Sequence, residues 1–320
     1  MRRQLTAVSV AARDAAPNRP AAKPSYPSAH ALRILHWSAA ATHVLWVALA
    51  ASCFTSYDDK VVTPVWTQNI TYAAGEDNSF IQFGPRTTVF KFYPLPTLIG
   101  FVAITAVAHV GYALLPGAGG DGNPWRWLEY MISATMLTLN ASVGVGASSE
   151  DAFAFVLALS VVMQATGLGL DMVHDSPVAR MRELLLFMGF TCCVVIVVVL
   201  ARHAHSAVGI LVNEQRVAAT YGLFYLSFGV VGTLRAYNVG LLRGSAFTEF
   251  VYVMLSLSCK TSMFWLSYAG IRQTLEHVLP DQPRAGVDWA LVQNLAASVP
   301  GSLAAAGIAA AVFWAPSLDA

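Results

Sequence analysis

Charge is what this sequence has least of. Only 12% of its 320 residues are Asp, Glu, Lys or Arg, against 56% hydrophobic, whereas an ordinary soluble domain carries about 25% charged residues. A chain so poor in charge cannot cover a water-facing surface, which excludes a soluble globular protein and points to an integral membrane one. The formal net charge of +1 supplies no basic field for nucleic acid. Cysteine is scarce as well. Cys53, Cys192, Cys193 and Cys259 lie inside apolar runs, without CxxC spacing or histidine pairing, which argues against a disulfide framework or a zinc site. No Walker loop, HExxH or nucleophile elbow occurs, so the chain does not read as an enzyme.

Long apolar runs are what it has instead. About 20 apolar residues are needed to cross a hydrocarbon core of ~30 Å. Seven runs qualify, at about 33–54, 95–115, 126–147, 152–173, 184–202, 217–239 and 247–271. Each is expected to be helical, because a lone strand would leave backbone groups unpaired in lipid. An eighth stretch, 291–314, is Ala-rich and broken by Pro300-Gly301, and reads as a terminal or interfacial helix. The expected organisation is an all-α membrane protein: a disordered cytoplasmic tail over 1–30, a seven-helix bundle over 31–278, and a C-terminal tail over 279–320.

The longest connection, about 55–94, holds two alternating segments, VVTPVWTQNITY and SFIQFGPRTTVFKFY, separated by AAGEDN. That pattern predicts a β-hairpin over the membrane face. Lysine and arginine set the orientation. Arg126, Arg180, Arg182, Arg235 and Arg243 join the basic tail on one side, and the smaller set Lys60, Arg86, Lys91, Arg202, Arg216, Arg272 and Arg284 falls on the other. The bias puts the N-terminus in the cytoplasm, and seven spans then put the C-terminus and the hairpin outside. The Asn69-Ile70-Thr71 sequon would face the same outer side, while Asn140-Ala141-Ser142 lies within a span and should be silent.

One residue violates the apolar pattern. In VYVMLSLSCKTSMFWLSYAG, Lys260 has about ten residues on either side, too far for its ammonium to snorkel out. A charge at that depth costs roughly 2.5–3.5 kcal/mol on insertion scales, so it needs a partner or a chemical modification. The third run, NPWRWLEYMISATMLTLN, offers Glu129 one turn inside Arg126, with Tyr130, Ser133 and Thr135 continuing the polar side. Two readings stay open: a structural ion pair, or a retinal Schiff base with one carboxylate as counterion. Ser256, one turn before Lys260, would lie beside such a linkage. Phe264 and Trp265, just beyond it, suit the flanks of a polyene or ordinary helix packing. His43 and His109, in neighbouring runs, with Thr105 one turn before the second, suggest a polar cavity able to accept a proton, or a hydrogen-bonded structural pair.

Together these segments resemble the heliorhodopsins. In that family the third span carries an R-W-x-E-Y-x-x-S-A-S-like run, and here Arg126, Glu129, Tyr130 and Ser133 fall in register, with Thr135 in place of a serine. The seventh span carries E-x-x-Y-x-x-L-S-x-x-x-K and a later Trp, matched by Glu249, Tyr252, Leu255, Ser256, Lys260 and Trp265. His43 and His109 also match family histidines. The resemblance covers about 30–278 and implies a seven-transmembrane-helix rhodopsin-like bundle with a short β-hairpin in its first extracellular loop. It implies a light sensor carrying all-trans retinal on Lys260, Glu129 as counterion, a cytoplasmic N-terminus and a homodimer in the lipid bilayer. Ser256, Ser133, Tyr130 and Arg126 would form the polar surroundings, and Met163, Ser160, Gly167, Trp265 and Phe228 the retinal pocket. Spans four to six depart from the pattern: Ser160 stands for an asparagine and Gln164 for an apolar residue, span five lacks a Pro-Trp, and span six lacks an asparagine.

A proton pump needs a donor carboxylate across the Schiff base from the acceptor. Eleven residues on from Glu129, about 16 Å along the same helix face at 1.5 Å per residue, stands Asn140, and seven on stands Met136. The position one turn before the lysine is Ser256 rather than a second carboxylate. Asp171, Glu183, Glu214 and Glu249 lie near span ends, where solvated or interfacial charges are expected. The sequence therefore predicts a slow conformational signalling cycle without ion pumping, acting on a partner it does not name. The alternatives are a light-gated passive proton channel and a non-photoactive seven-helix transporter with a structural Lys–Glu pair. Gly167, Gly169 and Gly189 are expected to permit close helix contact in a dimer.

Overall fold

A computed structural model of the chain describes residues 27–53, 63–71, 82–115, 124–173, 179–206, 212–243, 245–278 and 291–292. Seven long helices dominate it: α1 Ala29–Ser52, α2 Pro94–Leu114, α3 Pro124–Gly144, α4 Glu150–Val173, α5 Ala179–Ser206, α6 Val212–Ala236 and α7 Ser245–Val278. They begin and end within a few residues of the seven apolar runs, except that α5 and α7 run on by up to a further two turns at one end or both. The tail, most of the 291–314 stretch and the hairpin turn lie outside the described residues.

Local chemistry sets the helix ends. Ser28 caps α1, its Oγ accepting from Ala31 N at 3.2 Å, and proline opens α2 where no N–H is needed. Gly146 takes φ +85°, a conformation that costs glycine nothing. The chain can then fold back so that Ala147 N reaches Ser142 O at 2.9 Å beyond the end of α3. Ser149 next accepts from Ala152 N at 3.3 Å, and Glu150 and Asp151 occupy the positive first turn of α4.

Successive helices pack side by side, and α7 closes the ring against α1 while also touching α2 and α3. The arrangement is inside-out by soluble standards. Lys260, Glu129, Arg126, Glu249, His36, His43 and His109 are buried, whereas Val107 is 72% exposed and Phe187 70%. Apolar side chains facing outward are what a lipid solvent requires. Six of the seven helices are long and apolar enough to cross a membrane; the exception is α3, which carries Arg126, Glu129 and a row of Ser, Thr and Asn.

The expected hairpin is present as β1 Thr63–Thr71 and β2 Gln82–Phe92, paired antiparallel from Thr63 opposite Phe92 to Thr71 opposite Gln82. Register shifts at Val65/Trp66 and Gln68/Ile70 twist it locally. Trp66 anchors it to the bundle: its N donates to Ser148 O at 3.1 Å and its Nε1 to Ser148 Oγ at 3.2 Å. Val65 and Phe92 bury against Leu139, Val143 and Val156 of α3 and α4.

Candidate functional site

Lys260 lies in the middle of α7 with 4% exposure, and Glu129 on α3 with 7%. Lys260 Nζ donates to Glu129 Oε1 at 2.5 Å and to Thr105 Oγ1, from α2, at 3.1 Å. Thr105 in turn donates to Glu129 Oε1 at 3.0 Å, and the ammonium stands 4.8 Å from the centroid of the Tyr130 ring. Three helices thus converge on one charge pair. The pair joined in the sequence analysis meets in space.

A cavity opens from Lys260 between α3, α4, α5, α6 and α7. Tyr130, Met163, Gly167 and Phe228 line it, as do Tyr225 and Cys193. Its lining is mostly apolar and aromatic, with Lys260 as its amine and with Gln164, Asp171 and Arg235 also reaching it; Glu129 stands behind Lys260 as its ion-pair partner. Ser133 and Ser256, each one turn from a member of the pair, are buried, and the Ser256 hydroxyl faces Tyr130. The largely apolar lining with a lysine amine at one point suits an apolar molecule held at a polar end.

Two expected pocket residues stand elsewhere. Ser160 is behind the wall, accepting from Thr135 Oγ1 at 3.0 Å. It belongs to a hydroxyl cluster in which Thr138 Oγ1 lies 2.6 Å from Tyr221 OH and 3.0 Å from Tyr225 OH, with the two tyrosine rings stacked at 4.1 Å. Trp265 is half-buried against Trp46, ring centroids 5.6 Å apart, and is not among the residues lining the cavity. The glycines of α4 and α5 also face inward. A side chain on Gly167 would meet the Trp127 indole, one on Gly189 would meet Thr166, and one on Gly169 would meet Leu185. These contacts pack α4 against α3 and α5 within the chain.

His43 and His109 stack with ring centroids 5.7 Å apart, beside Thr105 on the α2 side of the pair. A third histidine, not singled out from sequence, joins them: His36 Nδ1 lies 3.1 Å from His109 Nδ1. The available signal was spacing, since His36 and His43 are seven residues apart and share one face of α1.

The end of the bundle beyond His36 holds a buried ionic cluster. Arg126 pairs with Glu249 and, at 2.7 Å, with Asp171. Asp171 also accepts from Trp127 Nε1 at 2.6 Å and Arg235 Nε at 3.2 Å. The Arg126 guanidinium covers the Tyr252 ring at 4.3 Å. This corrects the expectation that Asp171 and Glu249 are solvated, for their side chains are 7% and 3% exposed. Arginines on neighbouring helices supply the countercharge that permits burial. Glu183 is exposed, and the Glu214 side chain lies outside the described residues.

No curated protein matches the chain. The profile of the family described as heliorhodopsin matches residues 32–271, a segment that contains every residue of the site described above. A multi-pass membrane bundle with an amine-headed apolar cavity agrees with that match, and the chain belongs to the heliorhodopsins, a family of retinal-binding, light-sensing rhodopsins.

Proposed function

We propose that retinal, in the all-trans form, is held covalently through Lys260 as a protonated Schiff base, with Glu129 as its counterion. The observation that carries this is the buried 2.5 Å contact between the two side chains at the inner end of an apolar cavity. When bound, the chromophore supplies light absorption and isomerisation. The protein's residues do the rest. Glu129 balances the charge on the lysine nitrogen, Thr105 fixes the carboxylate by its hydrogen bond, and Tyr130, Met163, Gly167 and Phe228 confine the chain. His43 and His109 accept the proton that leaves the lysine nitrogen after illumination, and its movement resets the helices for a slow signalling cycle.

On this reading all seven helices span the bilayer, with the N-terminus cytoplasmic and the hairpin outside, in keeping with the Lys/Arg bias. The polarity of α3 is tolerable because its charged and hydroxyl groups face partners within the bundle. No pumping is expected, since Asn140 occupies the donor position and its Nδ2 donates to Pro94 O at 2.8 Å. The working unit on this reading is a homodimer.

The test is a visible spectrum of the protein expressed with all-trans retinal, before and after hydroxylamine under light, with Lys260→Ala alongside. A visible band that bleaches and is absent in the variant is expected. A folded, retinal-supplied protein without a band would overturn the proposal and leave Lys260–Glu129 a structural or transport pair. Photocurrent recording then separates a sensor from a passive proton channel, a second reading that the stacked histidines favour.

A further inference from the structure

His36 touches neither Lys260 nor Glu129, and the proposed cycle leaves it without a role. It is 1% exposed and bridges two features that the sequence keeps apart. On one side its Nδ1 meets His109 Nδ1 at 3.1 Å; on the other its Nε2 lies 3.8 Å from Glu249 Oε1. The two ring nitrogens of one imidazole therefore face a proton source and a proton sink. The groups around it are few. From α2 come His109 and Tyr112, the latter with ring centroids 5.5 Å away and its hydroxyl committed to Trp125 O at 3.0 Å. Glu249 comes from α7, and Arg126 of α3 reaches in through its pairing with Glu249.

We infer that His36 is a proton-relay residue that carries the proton leaving the Lys260 nitrogen from the His43–His109 pair to Glu249, and so switches the Arg126–Glu249 ion pair. The inference rests on the proposed Schiff-base reading. The transfer is a sequence of N–H and O–H exchanges with no redox step. A proton arrives on His109, His109 Nδ1–H passes one to His36 Nδ1, and His36 Nε2–H passes one to Glu249 Oε1. Each imidazole gains one proton and loses one, so both end neutral with their tautomers exchanged. Glu249 ends as a neutral carboxylic acid. The 3.1 Å step is already at hydrogen-bond length, and a small rotation of ring or carboxylate, or one bridging water, closes the 3.8 Å step.

The consequence at the far end follows from charge. Arg126 is held by two carboxylates, Glu249 from α7 and Asp171 from α4. Neutralising Glu249 leaves Arg126 paired to Asp171 alone and releases the bond that ties α3 to α7 at this end. A one-proton event beside Lys260 becomes a change of helix–helix contact at the end of the bundle, from which it passes to a partner.

The experiment is light-minus-dark infrared difference spectroscopy of the retinal-loaded full chain, followed beside the blue shift that marks proton loss from the lysine nitrogen. Wild type is expected to show a new protonated-carboxyl stretch concurrent with the blue shift. Glu249→Gln should lose that band and Glu249→Asp should move it, which assigns it. His36→Asn and His36→Phe should lose the band while the blue shift still forms, since His43 and His109 remain. The unaltered visible band of each variant reports that it has folded. A carboxyl band that survives both His36 substitutions, or its absence from wild type despite a blue shift, would overturn the relay and leave the Schiff-base reading standing. Absence of a visible pigment in wild type would bring down that reading, and the relay with it.

Discussion

The Trp127 indole occupies the space that a side chain on Gly167 would need. The contact joins α3 to α4 between the cavity, which both residues line, and the ionic cluster, where Trp127 Nε1 donates to Asp171. Gly167→Val forces the indole away and should destabilise the protein by about 1–3 kcal/mol, the usual cost of overpacking. Thermal unfolding in detergent would read this as a lower midpoint, accompanied by a shifted visible band. An unchanged midpoint and band would show that the indole moves freely.

Glu129→Gln removes the one carboxylate beside the Lys260 nitrogen. Leaving a buried charge without its partner typically costs about 3–5 kcal/mol. The substituted protein should therefore either lose yield or hold the lysine nitrogen unprotonated, giving a near-ultraviolet band at neutral pH. Glu129→Asp, which keeps the charge, should retain a visible band. Absorption spectra of the two variants at one pH check this, and equal visible bands would assign the balancing charge elsewhere.

Arg126 serves two carboxylates from two helices. Arg126→Ala strands Glu249, while Asp171 keeps Arg235 and Trp127, and should lower stability by about 3–5 kcal/mol, the cost of a broken buried pair. Arg126→Lys should recover only part of the loss, because an ammonium cannot reproduce a planar fork reaching two acids and stacking on Tyr252. Comparison of thermal midpoints checks the order wild type, lysine, alanine.

Thr138 is the hub of a buried hydroxyl group set, 2.6 Å from Tyr221 OH and 3.0 Å from Tyr225 OH. Thr138→Val is nearly isosteric but strands polar partners, which costs about 1–3 kcal/mol when the groups stay buried. Because Tyr225 lines the cavity, the same substitution should move the absorption maximum. Tyr225→Phe should move it too, while Tyr221→Phe, away from the cavity lining, should affect mainly the thermal midpoint.

Trp66 fastens the hairpin through Ser148 by backbone and indole bonds. Trp66→Ala should free the hairpin without loss of the visible band. Limited proteolysis should then cut within the connection between α1 and α2 faster than in wild type. Equal cleavage would show that the Val65 and Phe92 contacts suffice.

The sequence exposed most of the architecture because the membrane imposes a one-dimensional signal. Apolar runs announced every helix, and alternation announced the hairpin. It also exposed Lys260 and Glu129, since a charge within such a run stands out before any packing is known. What it hid depends on rotation and neighbours. Asp171 and Glu249 sit near helix ends, where linear position suggests solvent, and only the approach of Arg126 and Arg235 from other helices shows them buried. Trp265 follows the lysine by five residues, yet its ring turns toward Trp46. His36 lies seven residues before His43 on α1, and only the packing of α1 on α2 brings it against His109. Ser160, Thr138, Tyr221 and Tyr225 are unremarkable singly and become a cluster only when α3, α4 and α6 meet.

Asn140 has a consequence for direction. Its amide is spent tying α3 to the first turn of α2, and the surroundings on that side of Lys260 are Phe101, Leu137 and Phe264, all nearly or fully buried. On the proposed reading the lysine compartment is a cul-de-sac: the histidines lead away from it on one side, while the other holds this apolar packing and the closed hydroxyl cluster around Thr138. A proton that leaves toward the histidines would come back along the same road. Such a site would end each turn with nothing carried across, and the return journey would set how long the altered shape persists. On that reading the protein would keep time rather than move cargo.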